Sequence, residues 1–173
     1  MAVARIVFAG LALAGFLLSA WVHVSALRGV DVSQAWPQVW GLHVGLFVVF
    51  VPMVLAIRRQ FGRGAARPRW RELLPRPVAL LCGAVVVYAA VNFGVVFMRM
   101  PGSSVKEHDG QCVVIDHGVR RTLSDGECAA FHTSVLRMFS GHWMAFYFAP
   151  FAFFTFVARP RPGFGAPLGG GGR

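Results

Sequence analysis

Histidine side chains stand near one end of three of the four long apolar runs in this 173-residue chain. His23 and His43 lie four and five residues before the ends of the first and second runs. His142 lies two residues into the fourth, and Asn92 lies six residues before the end of the third. At 1.5 Å of rise per helical residue, all four lie within about 3–9 Å of the same boundary. Polar groups at that depth mark functional sites, and we predict that these four form one polar layer.

Two chemistries fit the polar layer. Imidazoles from facing helices are the usual ligands of a metal ion or a b-type haem in a helical bundle. Imidazole and amide groups also form hydrogen bonds between membrane helices. No two of the histidines share a run, so no ligand spacing supports a metal site. We expect hydrogen bonding without a cofactor, and haem b or a metal ion is the alternative prediction.

Two cysteines, Cys112 and Cys128, lie between the third and fourth runs, in the segment 99–139. Disulfides persist where the compartment is oxidising, outside the cytoplasm. Fifteen residues separate the two cysteines, and closing a loop of that size stabilises a fold by about 3 kcal/mol through chain entropy. We therefore predict a structural disulfide, which a small element of this kind needs.

The same segment predicts a small extracytoplasmic cap of two strands and one helix. Residues 112–117 and 119–123 are typical of short strands around a turn at His117 and Gly118. Ser124 and Glu127 have the spacing of a capping box, which opens a helix that runs toward the fourth apolar run.

Four helices, both termini inside and a cysteine pair in the second outer loop resemble the quinone-linked membrane oxidoreductases that generate disulfides. That family also carries a Cys-x-x-Cys in the first outer loop, and residues 28–37 contain no cysteine. The resemblance therefore does not extend to electron exchange with a quinone. A hydrolase built from Asp116, His117 and Ser134 is not predicted either, because no nucleophile elbow accompanies them.

The elements that position these groups are the apolar runs themselves, each long enough to cross the hydrocarbon core of a bilayer. If the N-terminus is inside, the inner segments carry eleven Arg and one acid, and the outer segments carry six basic residues and six acids. The whole net charge of +10 then lies inside, as the positive-inside rule expects for a cytoplasmic face. We predict an all-α polytopic membrane protein with four transmembrane helices, at 6–27, 38–57, 78–98 and 140–158.

Composition limits the function. Sixteen of the seventeen basic residues are Arg, which favours a bacterial source and hence the inner membrane, with both termini and a disordered tail, 159–173, in the cytoplasm. The Arg-rich segments lack interleaved aromatics, so no nucleic acid is expected. Without a catalytic signature, we predict a non-enzymatic accessory or assembly subunit that binds the bilayer and a membrane-protein partner or a second copy. The alternative is a redox, metal or haem protein that uses the polar layer.

Overall fold

The computed structural model describes residues 2–61, 73–100, 104–108, 111–116 and 119–158, and these are mostly helical. The predicted turn at His117 and Gly118, most of the inner link 58–77 and the tail 159–173 lie outside the described residues. In chain order the elements are α1 (Ala2–Leu27), α2 (Val32–Ala35), a 3-10 turn (Pro37–Trp40), α3 (Gly41–Phe61), α4 (Arg76–Arg99), β1 (Ser104–His108), β2 (Gln111–Asp116), β3 (Val119–Thr122), α5 (Asp125–Ala152) and a π-helical turn (Phe153–Val157).

Among the residues that the structure describes, three helical stretches are long and apolar enough to cross a membrane: Ala2–Leu27, Pro37–Phe61 and Arg76–Arg99. They cover the first three predicted runs, which confirms those predictions. The fourth predicted span is not among them, since α5 is less apolar overall than those three stretches and carries polar residues such as Ser140 and His142. The chain is therefore a helical, multi-pass membrane protein with three candidate spans.

The short link between α1 and α3 turns the chain back on itself. Gly29, with φ of 78°, adopts a left-handed conformation that glycine accepts at no steric cost. Asp31 then caps α2, accepting a hydrogen bond from the backbone N–H of Ser33 at 2.9 Å. The link is thus closed by local interactions, which bring α3 back beside α1.

Helix α5 lies at the centre of the bundle and packs against α1, α3 and α4. Its ring pairs with α1 run in opposite order along the two helices. Phe16 lies 5.3 Å from Phe148 and Phe8 lies 5.4 Å from Phe154, between ring centroids. The helices are therefore antiparallel. Below, the "cap end" of the bundle is the end that carries the β-sheet, and the "arginine end" is the opposite one.

Most of the aromatic side chains of α5 and of the π-helical turn after it form the core of the bundle. Trp143 and Phe153 are fully buried, and Tyr147, Phe148 and Phe154 are nearly so. Phe146 is the exposed exception, at 45%. These aromatic side chains therefore mainly contact the other helices of the same chain.

The cap differs from the predicted two strands in having three. β1, β2 and β3 form an antiparallel sheet in that order, with Glu107 opposite Cys112 and Val114 opposite Arg121. The prediction missed β1, whose only apolar residue is Val105, so it lacks the pattern that identifies a half-buried strand.

The start of α5 follows the prediction closely. Ser124 and Glu127 form the predicted capping box, in which the Glu127 backbone N–H donates to the Ser124 hydroxyl and the Ser124 backbone N–H donates to the Glu127 carboxylate. The predicted disulfide joins Cys112 of β2 to Cys128 in the first turns of α5, with the Cα atoms 6.0 Å apart. The cap is therefore tied to the helix that forms the centre of the bundle.

The capping box also keeps the side chain of Glu127 ionised to a lower pH. Hydrogen bonds from Ser124, and then from Arg121, lower the pKa of Glu127 to about 2. Because the folded pKa lies below the ordinary value of 4.5, the carboxylate stabilises the cap fully above pH 4.5, and this contribution is lost as the pH falls toward 2.

We predict that Ser124→Ala weakens the first turn of α5 by about 1 kcal/mol, because a backbone N–H of that turn loses its acceptor. Hydrogen exchange of the amides of residues 126–128 measures this local opening. Ser134→Ala is the matched control, since the Ser134 hydroxyl only returns to the carbonyl of Ala130 within the helix. Equal protection in wild type and Ser124→Ala would contradict the role of the cap.

Candidate functional site: the polar layer at the cap end

His23 is the most enclosed member of the polar layer, and α1, α4 and α5 meet around it. Only 3% of its surface is exposed. Its Nδ1 lies 2.9 Å from the hydroxyl of Ser140 on α5, and its Nε2 lies 2.6 Å from the hydroxyl of Tyr88 on α4. Both ring nitrogens are thus engaged within the protein.

The direction of this hydrogen-bond chain follows from its last acceptor. The Ser140 hydroxyl lies 3.2 Å from the backbone carbonyl of Arg137, which can only accept. Ser140 therefore donates to that carbonyl and accepts from Nδ1–H of His23. With one proton on the ring, Nε2 of His23 accepts from the Tyr88 hydroxyl. The "Tyr88 chain", Tyr88 to His23 to Ser140 to Arg137, thus satisfies each of its polar atoms.

Asn92 stands beside this chain and contacts the same residue, Arg137. The Asn92 amide donates to the Arg137 carbonyl at 3.2 Å, and Nε of Arg137 donates to the Asn92 amide oxygen at 2.9 Å. The two residues therefore bind each other through both side-chain and backbone groups. This fastens α4 to α5 and leaves the Asn92 oxygen and nitrogen both engaged.

Gly141 makes this close arrangement sterically feasible. A Cβ atom at Gly141 would lie 2.9 Å from Nδ2 of Asn92 and 3.5 Å from Cε1 of His23. The structure thus brings His23 and Asn92 together on either side of Ser140 and Gly141, the first half of the tetrapeptide Ser140-Gly141-His142-Trp143.

His43 lies in separate surroundings on α3, where it is exposed. The indole N–H of Trp143 donates to its Nδ1 at 3.0 Å. Because an indole N–H only donates, Nδ1 holds a lone pair and the ring proton is on Nε2. The ring also meets Phe139 and Trp143 edge to face, with centroids 5.3 and 5.7 Å apart.

His142 also has its own environment, between α5 and α4. Its Nδ1 lies 2.9 Å from the carbonyl of Met138 one turn earlier, so Nδ1 carries the proton and Nε2 keeps its lone pair. Its ring meets Phe93 edge to face at 4.8 Å. The four predicted residues therefore lie at one end of the bundle. Their contacts form three separate sets: His23 and Asn92 share one, and His43 and His142 each have their own.

Among the described residues, one group of three His, Cys, Asp or Glu side chains has its ligand atoms within 4.8 Å of one another, and this group lies in the cap. It consists of Cys112, Cys128 and His132, with both sulfurs bonded to each other in the disulfide. The polar-layer histidines do not form such a group.

Sequence reasoning missed three residues that complete the site. Tyr88 lies one helical turn before Asn92, and Arg137 lies three residues before Ser140, so periodicity could have placed both on the right faces. Tyr147 donates to the Leu42 carbonyl at 2.7 Å. Its ring lies against Gly15 and its hydroxyl against Gly45, where a Cβ would overlap them. Gly15 and Gly45, as small residues on facing helices, were the sequence signal that could have indicated this contact.

Comparisons with protein-family models, curated proteins and solved structures gave no match to this chain. The assignment of function therefore rests on the geometry alone. The buried polar groups of α1, α4 and α5 form hydrogen bonds with one another, and His43 is the exposed member of the polar layer.

We predict that His23→Ala lowers the free energy of unfolding in detergent by about 1–3 kcal/mol, because it removes the acceptor of the Tyr88 hydroxyl and the group that donates to Ser140. Thermal or denaturant unfolding of the purified protein measures the change. His132→Ala, at an exposed position, is the control and should leave stability unchanged. Equal stability of both variants and wild type would show that the Tyr88 chain does not hold the bundle together.

Proposed function

We propose that this protein is a four-span, non-enzymatic subunit of the bacterial inner membrane that supports the assembly of a larger membrane complex, with both termini in the cytoplasm. Three lines of support are its packing, its charge and the one-sided burial of α4. The last of these carries the functional part of the proposal.

Packing supports a fourth span. Helix α5 follows α1 from His23 near the cap end to Phe8 near the arginine end. The 26 residues of α1 extend about 39 Å at 1.5 Å per residue. A bilayer that α1 crosses therefore also surrounds α5. The modest hydropathy of α5 is no obstacle, because α1, α3 and α4 cover much of its surface.

Charge supports the orientation. Arg5, Arg58, Arg59 and Arg76 all lie at the arginine end, in the first turns of α1 and α4 and the last turn of α3. At the cap end, Arg121 pairs with Glu127 at 2.9 Å. An unbalanced arginine end suits the cytoplasmic face of a membrane, and a balanced cap suits the opposite side.

The one-sided burial of α4 carries the proposal. Only Ala89, Asn92 and Val96 of its 24 residues are buried, and all three lie on the side that meets α5. The opposite side is what we call the α4 outer face: Gly83, Val87, Ala90 and Gly94, at helical spacings of four, three and four residues.

The α4 outer face has the features of a membrane helix contact. Nothing lies within 4 Å of a Cβ built at Gly83 or Gly94, so another backbone can approach closely there. Membrane helices associate through small residues of this kind, because lipid offers no hydrophobic drive for association. We assign this face to a transmembrane helix of a different protein. The hydrogen bonds of the Tyr88 chain join groups of the protein to one another, which fits a supporting role rather than a catalytic one.

Site-specific photocrosslinking in native membranes tests this assignment. A photoreactive residue at Val87 should give one discrete protein adduct heavier than the 18.8 kDa chain. The same residue at Val44, an equally exposed position on α3, should give lipid adducts only. Gly83→Leu should abolish the Val87 adduct, whereas Gly10→Leu, at an exposed glycine of α1 with open space before it, should not.

Several outcomes would contradict the proposal. No protein adduct from Val87 would mean that the α4 outer face contacts lipid, and equal protein adducts from Val87 and Val44 would mean that this face is not a specific contact. An adduct of twice the mass of the chain would identify a second copy instead of a different subunit. A monodisperse monomer with no co-purifying protein in mild detergent would also count against it.

A metal or haem site is the second candidate function, and the tautomer of His142 favours it at that residue. A histidine whose Nδ1–H binds a carbonyl presents Nε2 as a ligand, which is the usual arrangement in metal and haem proteins. The Met138 carbonyl holds His142 in this way. His23 has both nitrogens engaged, and His43 carries its proton on Nε2, so His142 is the one suitable member of the three.

An absorption spectrum of the purified protein, before and after dithionite, together with metal analysis, tests this second candidate. A Soret band or stoichiometric metal that His142→Ala removes and His132→Ala retains is the expected result. Neither a Soret band nor stoichiometric metal in the wild type would exclude it.

A further inference from the structure

A groove of about 310 Å³ opens at the arginine end, between the start of α1 and the end of α5. Its volume is at the lower end of the range for small-ligand pockets. Apolar residues form most of its lining, and Arg5 is its charged member. Its walls include Arg5, Gly10, Leu13, Phe151 and Phe154.

The guanidinium of Arg5 is incompletely satisfied in this groove. Its Nη1 is shielded from solvent, and no atom of the described residues accepts a hydrogen bond from it. A buried N–H of a charged group without an acceptor is strongly unfavourable. The guanidinium geometry matches an oxyanion with two acceptor oxygens, such as a phosphate.

The protein itself has few anions to offer on this side. The inner segments hold eleven Arg and a single acidic side chain, Glu72. Apart from Glu72, an anionic side-chain partner for Arg5 would therefore come from outside these segments. In the inner leaflet of a membrane, the abundant anions are phospholipid headgroups.

The apolar part of the groove suits an acyl chain. Gly10 has nothing within 4 Å of where its Cβ would stand, so the α1 wall is open at that position. The opposite wall includes Phe154 of the π-helical turn, where the backbone N–H of Ala158 donates to the carbonyl of Phe153, five residues earlier. Single π-helical turns of this kind often occur at binding sites.

We propose that this groove binds one anionic phospholipid of the inner leaflet, with its phosphate on Arg5 and an acyl chain along Gly10, Leu13 and Phe151. The site is independent of the α4 outer face, since it lies between α1 and α5. Its failure would leave the assignment of the subunit partner unaffected.

The test is a competition assay on the full-length protein in detergent, with a tail-labelled phosphatidylglycerol as the probe. Unlabelled phosphatidylglycerol should displace it at least tenfold better than phosphatidylcholine, whose headgroup has no net charge. Glycerol 3-phosphate, which has the phosphate without acyl chains, should not displace it. Arg5→Gln should weaken probe binding at least tenfold, and Gly10→Leu, which fills the groove but keeps Arg5, should do the same.

The matched control is Arg58→Gln, which removes one positive charge from the last turn of α3, and it should change binding less than twofold. Unfolding midpoints confirm that each variant is folded. If Arg5→Gln does not fold, Arg5→Lys, which keeps the charge, is used in its place.

Equal losses of binding in Arg5→Gln and Arg58→Gln would overturn the proposal in favour of general charge attraction. Equal displacement by the two lipids, or displacement by glycerol 3-phosphate, would also overturn it. So would unchanged binding in Gly10→Leu, or a gain in binding by Glu72→Gln, which would identify Glu72 as the partner of Arg5.

Discussion

A helix that carries Ser140, His142, Tyr147 and Pro150 cannot face hydrocarbon on all sides, because each polar group left unpaired in lipid costs several kcal/mol. In this protein α5 meets that constraint by packing at the centre of the bundle. The Tyr147 hydroxyl binds the Leu42 carbonyl of α3, and Ser140 binds His23 of α1. The other helices are arranged around these contacts, so the position of α5 determines where α1, α3 and α4 can lie.

The hydrogen bonds at the cap end follow from the same constraint. His23, Asn92 and His43 each have a hydrogen-bond partner on a neighbouring helix, whereas His142 binds the Met138 carbonyl of its own helix. The direction of the Tyr88 chain is set by a backbone carbonyl. Glycine is needed where the helices come closest, at Gly15 and Gly141, because the Tyr147 ring and the Asn92 amide occupy the space of a Cβ. The contacts within the bundle leave two other places without a partner. One is the α4 outer face, which is exposed, and the other is Nη1 of Arg5, which has no acceptor among the described residues.

Features governed by local sequence could be predicted. The first three spans, the capping box at Ser124 and Glu127, and the disulfide between Cys112 and Cys128 each depend on residues within one helix or one short loop. The strand Ser104–His108 could not, because it forms by pairing with β2 and has only Val105 as an apolar signal. The polar layer was predicted from residue counts, which set the depth of a residue along a helix. Its division into three contact sets could not be foreseen, because the facing of each histidine depends on how the helices rotate about their own axes.

The sequence by itself determined that the chain is helical and membrane-embedded, with its net positive charge concentrated in one set of segments. Hydropathy and charge depend only on the identity of each residue, so they can be read without the tertiary structure. Residue counts along the apolar runs also predicted which polar residues share one depth. Only the tertiary structure decided that α5 is the central helix, that Tyr88 and Ser140 are the partners of His23, and that Arg5 faces a groove. Those facts depend on distances between helices far apart in the chain, such as the 117 residues between His23 and Ser140, and no local pattern contains them.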